Sequence, residues 1–270
     1  MLKTIRRLAS AVYFAVIAAI AISTAAAEPS ACPQRDGRPV PVEEFHIYLL
    51  MGQSNMAGRG KMTAEDRQPV PGIFSLDAKS AWQPAAHPLH FDKPNVAGVG
   101  LGLDSAKVLQ QHDKQIVVGL VPCAFGGTRL DQWRPGDKLY ENAVARAKTA
   151  ARCGVLKGVL WHQGESDSTD QLAPTYAARL AEMLTKLRGD LGDHDLPIVV
   201  GELGQFRKQL TTTQVNAQLR EVANSLPQVA CASSEGLTHN GDSTHFDATA
   251  LKEFGRRYAE KMIELQSRGD

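Results

Sequence analysis

Five short apolar runs, rich in strand-forming residues, recur along the chain, and the first stops abruptly at Gly52-Gln53-Ser54-Asn55. They are FHIYLLM at 45–51, QIVVGLV at 115–121, VLKGVLW at 155–161, LPIVVGEL at 196–203 and QVACA at 228–232. A strand with one wet face alternates apolar and polar residues, so near-continuous apolar runs require a sheet covered on both faces. Between the runs, apolar residues return at three- and four-residue intervals. Tyr176, Leu180, Met183, Leu187 and Leu191 form one such stripe, and Leu251, Phe254, Tyr258, Met262 and Leu265 another. Each stripe is one apolar helix face and reads as core packing. Strands alternating with helices predict an α/β fold, a doubly wound and mainly parallel sheet of about five strands.

The chain opens with Lys3, Arg6 and Arg7, then an apolar run from Leu8 to Ile22 and the small residues Ser23-Thr24-Ala25-Ala26-Ala27. This is the pattern of a secretory signal peptide cleaved after Ala27, and the run falls short of the roughly 20 residues that span a bilayer. Cys32 lies well beyond the run, behind Glu28-Pro29-Ser30-Ala31, a poor context for lipidation. The expectation is a signal peptide at 1–27 and a single domain at 28–270, secreted or periplasmic, without stable membrane association after cleavage. Losing three positive and no negative charges moves the formal balance from +1 to −2, which leaves no basic field for nucleic acid. Cys32, Cys123, Cys153 and Cys231 could form up to two disulfides in an oxidising compartment, and three pairings stay open. No CxxC or Cys/His cluster has zinc spacing, so no structural metal site is expected.

Ligands of doubly wound sheets bind beyond the carboxyl ends of the strands. The polar motifs fall there: GQSNM (52–56) after the first run, CAFGGT (123–128) after the second, HQGESD (162–167) after the third, and GDSTHF (241–246) after the last. The stretch from Ala57 to Gly102, rich in Pro and Gly and weakly patterned, is either a loop bordering the site or a surface excursion. Acyl transfer by serine needs an activated hydroxyl, a base, a carboxylate that orients the base, and donors for the oxyanion. Ser54, in a tight turn after a strand, offers the hydroxyl; a helix N-cap is its bland alternative. His245, three residues after Asp242, offers the base, because the carboxylate can fold back on Nδ1–H and leave Nε2 free. Asp242 could also be a plain turn residue. His239 lacks this arrangement and reads as a loop residue. The backbone N–H groups of Ser54 and Gly127 and the side-chain amide of Gln163 are candidate oxyanion donors. Cys123, just before the Gly-Gly turn, is a less favoured nucleophile.

In order and spacing, GQSNM at 52–56, GGT at 126–128, WHQGESD at 161–167 and DSTHF at 242–246 resemble the SGNH (GDSL-like) hydrolases. They are closest to the branch of family 6 carbohydrate esterases and sialate O-acetylesterases. The resemblance implies a three-layer, flavodoxin-like α/β/α sandwich and an esterase that needs no metal or organic cofactor. It makes Ser54 the nucleophile, His245 the base and Gly127 an oxyanion donor. Gln163 stands where many superfamily members carry asparagine. Asp242 is the usual acid, with Glu165 as a substitute or assisting group. Asn55 could brace the turn or touch substrate, and Arg129, Trp133, Gln205 and Phe206 could grip a sugar ring. The implied substrate is an acetylated carbohydrate, a plant polysaccharide such as xylan first, then O-acetylated sialic acid and other small acetyl-sugars. An acetyltransferase with the same triad and a non-catalytic sugar-binding protein are the alternatives.

Overall fold

A computed structural model describes residues 31–268; the expected signal peptide lies outside the described residues. A two-stranded hairpin, β1 (Gln34–Arg35) and β2 (Arg38–Pro39), precedes β3 (Phe45–Gly52) and the one-turn helix α1 (Ser54–Ala57). Then come β4 (Ile73–Leu76), β5 (Trp82–Pro84), α2 (Gly102–His112), β6 (Val117–Pro122), α3 (Lys138–Ala150) and β7 (Val155–His162). The chain continues through α4 (Tyr176–Leu191), β8 (Ile198–Gly201), α5 (Leu210–Ser225), β9 (Val229–Ala232) and α6 (Ala248–Gln266).

All five apolar runs are strands of one sheet, whose order is β5-β4-β6-β3-β7-β8-β9. Every neighbouring pair is parallel except β4 with β5. The sheet has seven strands rather than about five. The two additions come from the weakly patterned stretch after Ala57; β5 is largely exposed and β4 is only four residues long, so neither produces a long apolar run.

The strand β3 shows why its sequence does not alternate in polarity. Phe45, Ile47, Leu49 and Met51 enter a core shared with α3, α4 and α5, while Tyr48 and Leu50 enter the opposite core, shared with α2 and α6. Full burial of each such side chain stabilises by about 1.5–3 kcal/mol. Both predicted stripes face these cores: Tyr176, Leu180, Met183 and Leu187 are buried on α4, and Leu251, Phe254, Tyr258, Met262 and Leu265 on α6. Left-handed Gly192 (φ 79°) ends α4.

Strand order reverses at β3, which has β6 on one side and β7 on the other. The turns leaving these three strands therefore meet at one carboxyl-end crevice, the switch point where such sheets bind ligands. Far from it, a disulfide joins Cys32 to Cys153 and ties the segment before β1 to the entry of β7, while Cys123 and Cys231 are free thiols. No helix of the described residues is long and apolar enough to cross a membrane.

Candidate active site

At the end of β3 the chain passes extremely close to β7. A Cβ on Gly52 (φ 128°) would lie 2.0 Å from the carbonyl oxygen of His162, so only glycine fits, and the next amide, Gln53 N–H, donates to that same oxygen at 2.9 Å. The chain then turns into α1 with Ser54 as its first residue, nearly buried at the floor of a pocket of about 730 Å³.

The loop before α6 brings His245 to the same pocket. The Nε2 of His245 lies 2.9 Å from Ser54 Oγ, and its Nδ1 lies 2.6 Å from Asp242 Oδ2. Asp242 Oδ1 accepts the backbone N–H groups of Thr244 (2.8 Å) and His245 (2.7 Å), which locks the carboxylate against the ring. Burial works against the charged form of Asp242, but these amides and the imidazole outweigh it and hold the carboxyl at about 2. An ionised carboxylate only accepts, so Nδ1 carries the proton and Nε2 is left with a lone pair for the Ser54 hydroxyl. His239 shapes the same loop: its Nδ1 accepts from Gly241 N–H at 3.0 Å and Ser243 N–H at 3.2 Å.

Asn55 and Glu165 form a brace beneath the pair. Asn55 is fully buried; its Oδ1 accepts from Phe246 N–H at 3.1 Å, and its Nδ2 donates to Thr244 O at 3.2 Å and to Glu165 Oε1. The turn holding Ser54 is thereby tied to the loop holding His245. Asn55 therefore supports the protein rather than a substrate. Glu165, expected as a substitute or assisting acid, is engaged with Asn55 and with His162 Nε2 at 3.4 Å rather than with His245. Burial raises its pKa, but those two partners win and it stays below the ordinary carboxylate range.

Across the pocket, the turn after β6 is pinned at several points. Phe125 N–H donates to Gly52 O at 2.9 Å, Gly126 N–H to Asp92 Oδ2 at 2.8 Å, and Thr128 Oγ1 to Phe125 O at 2.9 Å. Gly127 adopts φ 83°, a left-handed conformation that favours glycine. Among the described residues, the amides of Ser54 and Gly127 have no protein acceptor, and both residues line the pocket.

Two expected contributors are corrected. Gln163 is wholly buried and outside the pocket lining; its Nε2 donates to Asp167 Oδ2 (2.7 Å), Thr128 O (3.1 Å) and Gln53 Oε1 (3.2 Å). Three acceptors already share its two N–H hydrogens, so it braces the two turns from below and has none left for an oxyanion. Trp133 is also fully buried, donating from Nε1 to Thr128 Oγ1 at 3.1 Å and standing edge-on to Trp161, so it packs beneath the glycine turn instead of stacking on a sugar. Arg129 is exposed beside an adjoining depression and pairs with Asp131 at 3.2 Å. Gln205 is exposed and outside the pocket lining, and Phe206 packs on His239 and Phe246, supporting the histidine loop. Cys123 is buried and its thiol is pushed up to about 11 by burial, which removes the thiolate a cysteine nucleophile needs.

Sequence reasoning passed over Gln53, Arg59, Lys93 and Arg207, all of which line the pocket. Gln53 stands beside Ser54 in GQSNM and could have been noticed there; the other three carry no local signal. A second cleft, of about 630 Å³ and lined by residues including His46 and Tyr48, opens at the amino end of the sheet and holds none of the motif residues.

A family profile described as carbohydrate esterase, sialic acid-specific acetylesterase, matches residues 44–264. The chain belongs to this family. A probable carbohydrate esterase of Arabidopsis thaliana is 32% identical over 246 residues, 83% of this chain and 92% of the relative. The X-ray structure of an Arabidopsis thaliana protein superposes with a TM-score of 0.75 at 31% identity, covering 82% of this chain and 98% of that one. Two more distant structures share the fold. NanS has a TM-score of 0.71 at 18% identity, covering 84% of this chain and 98% of its own. A carbohydrate acetylesterase from Xanthomonas citri has 0.64 at 19%, covering 84% of this chain and 57% of its own. The esterase is thus a carboxylic ester hydrolase of the carbohydrate acetylesterase kind, as the four motifs implied.

Proposed function

We propose that the esterase removes O-acetyl groups from carbohydrate through an acyl-enzyme on Ser54. The observation that carries this reading is the line from Ser54 Oγ to His245 Nε2 (2.9 Å) and from His245 Nδ1 to Asp242 Oδ2 (2.6 Å). His245 takes the hydroxyl proton as Ser54 Oγ bonds to the acetyl carbon. The carbonyl oxygen becomes an oxyanion held by the free N–H groups of Ser54 and Gly127, each such donor lowering the barrier by about 3 kcal/mol. As the tetrahedral intermediate collapses, the C–O bond to the sugar breaks and the sugar oxygen takes the proton from His245. Water, deprotonated by the same ring, then attacks the acetyl-serine; acetate leaves and the proton returns to Ser54. Asp242 keeps Nδ1 protonated throughout and stabilises the imidazolium.

The open pocket suits a sugar on a polymer, and acetylated xylan is the first substrate to try. A second reading, an acidic acetyl-sugar such as O-acetylated sialic acid, is favoured by one observation. Lys93 and Arg207 both line the pocket, and among the described residues neither has a carboxylate partner. We also infer export, with residues 1–27 removed; the Cys32–Cys153 disulfide fits an oxidising compartment.

The test is acetate release by residues 28–270 from acetyl-xylan, O-acetylated sialic acid and p-nitrophenyl acetate. Ser54→Ala is expected to abolish release with an unchanged melting temperature, and an unchanged rate in that variant overturns the serine route. Arg207→Gln is expected to lower kcat/KM for the acidic sugar alone; an equal fall on acetyl-xylan counts against the acidic-sugar reading.

A further inference from the structure

The stretch from Ala57 to Gly102 supplies an ion pair at the oxyanion side of the pocket. Arg59 Nη2 lies 2.7 Å from Asp92 Oδ2, with the two side chains only 7% and 2% exposed. The same Oδ2 accepts the backbone N–H of Gly126 at 2.8 Å, and Arg59 Nη1 is anchored on Gly58 O at 2.7 Å. A Cβ on Gly126 would meet Arg59 Nη2 at 2.5 Å, Asp92 Oδ2 at 3.1 Å and Ser54 Cβ at 3.5 Å. Gly126 is therefore clamped between the ion pair and the proposed nucleophile. Its carbonyl carbon carries the next amide, Gly127 N–H, which is free and belongs to the pocket wall.

We propose that Asp92, held by Arg59, is a positioning residue that aims the Gly127 amide at the oxyanion. This rests on the acyl-enzyme reading above, in which that amide is a donor. An oxyanion donor acts through preorganisation: it must already point at the place where charge develops, because turning it during the reaction forfeits the gain. The turn's other ties lie at Phe125 and Thr128, so Gly127 is held from both sides, and the hydrogen bond to Gly126 fixes the residue whose carbonyl carbon bears the donor amide. A lone carboxylate here would repel the developing oxyanion, and the Arg59 guanidinium neutralises it. Burial disfavours the Asp92 charge, yet Arg59 and the Gly126 amide outweigh burial and keep it ionised.

Two variants test this in the intact protein. Asp92→Asn retains an oxygen that can accept from Gly126, and kcat on p-nitrophenyl acetate is expected to stay within about threefold of the parent. The double variant Arg59→Met with Asp92→Leu replaces the ion pair by apolar groups of similar volume, a swap that is often neutral or stabilising. Its kcat is expected to fall roughly 10- to 100-fold with KM nearly unchanged, a part of what removing an oxyanion donor outright does. Phenylboronic acid, which forms a tetrahedral adduct on serine, should bind the double variant more weakly by a similar factor. A folded double variant with parental kcat and boronate affinity overturns the proposal. So does Asp92→Asn as slow as the double variant, which would make the charge matter instead of the hydrogen bond. A double variant that does not fold returns the pair to a structural role and overturns it too. Failure of the underlying mechanism is a different result: the parent releases no acetate, or Ser54→Ala releases it at the parental rate.

Discussion

Replacing Asp242 by asparagine isolates the part of the mechanism in which one atom matters most. Asp242 makes three bonds, to the Thr244 amide, the His245 amide and His245 Nδ1. In Asp242→Asn the remaining side-chain oxygen can keep the two backbone amides, which turns the new NH2 toward Nδ1. The ring must then offer a lone pair at Nδ1 and carry its proton on Nε2, facing the Ser54 hydroxyl it should deprotonate. Restoring the productive tautomer forfeits a charge-assisted hydrogen bond of about 1.5–3 kcal/mol. The imidazolium also loses its counter-ion. That second loss is moderated because the Asp242 side chain is 45% exposed and water screens it. Together they raise the barrier by about 3–4 kcal/mol, a 10²- to 10³-fold fall in kcat. Glu165→Gln retains an oxygen that can accept from Asn55, and its kcat should fall less than about tenfold, since only the brace is loosened. Initial rates on p-nitrophenyl acetate at neutral pH, with melting curves for both variants, decide the matter. If Glu165→Gln is slowed more than a hundredfold while Asp242→Asn stays within tenfold of the parent, the assignment of the acid is refuted.

Thiol titration of the unreduced protein in denaturant should find only Cys123 and Cys231 reactive, and four reactive thiols would contradict the Cys32–Cys153 bridge. Removing that bridge with Cys32→Ala and Cys153→Ala should lower unfolding stability by about 2–4 kcal/mol, measured by urea denaturation. Gly52→Ala should destabilise by about 2–4 kcal/mol or prevent folding, because its Cβ has no room against His162 O; a parental melting temperature would contradict that close approach. Asp66 accepts from Thr63 N–H, Thr63 Oγ1 and Lys252, and despite the opposing effect of burial these partners hold its pKa at about 2 against an ordinary 3.8. Its folded pKa is depressed, so its stabilisation is complete above the unfolded value and is lost as pH falls through about 2. Asp66→Asn should therefore flatten this part of the acid denaturation curve by about 1–2 kcal/mol, reduced from the full shift because Lys252 is partly exposed.

Local chemistry singled out Ser54, His245 and Asp242, and the fold brings the three side chains into contact. A serine in a tight turn after a buried strand, and a carboxylate three residues before a histidine, are short-range patterns whose geometry follows from a few backbone dihedrals. The five long-run strands were equally legible, because a strand covered on both faces keeps few polar positions. In contrast, β4 and β5 are short or exposed, and the pairing that makes them strands is made by β6, far along the chain.

Gln163 and Trp133 show where that legibility stops. An amide or an indole after a strand end suits a sugar pocket and a buried brace equally well, and composition does not separate the two. The pairing of Gly52 with His162 puts Gln163 beneath Ser54, and the packing of Trp133 on Trp161 turns it inward. Arg59 and Asp92, 33 residues apart in a stretch without periodicity, become a pair only when the chain folds over the glycine turn. Residue identity and short spacing thus mark the candidate groups. The register of one strand against its neighbour settles which of them meet, because side-chain direction reverses with every residue and a one-position slip would exchange pocket for core.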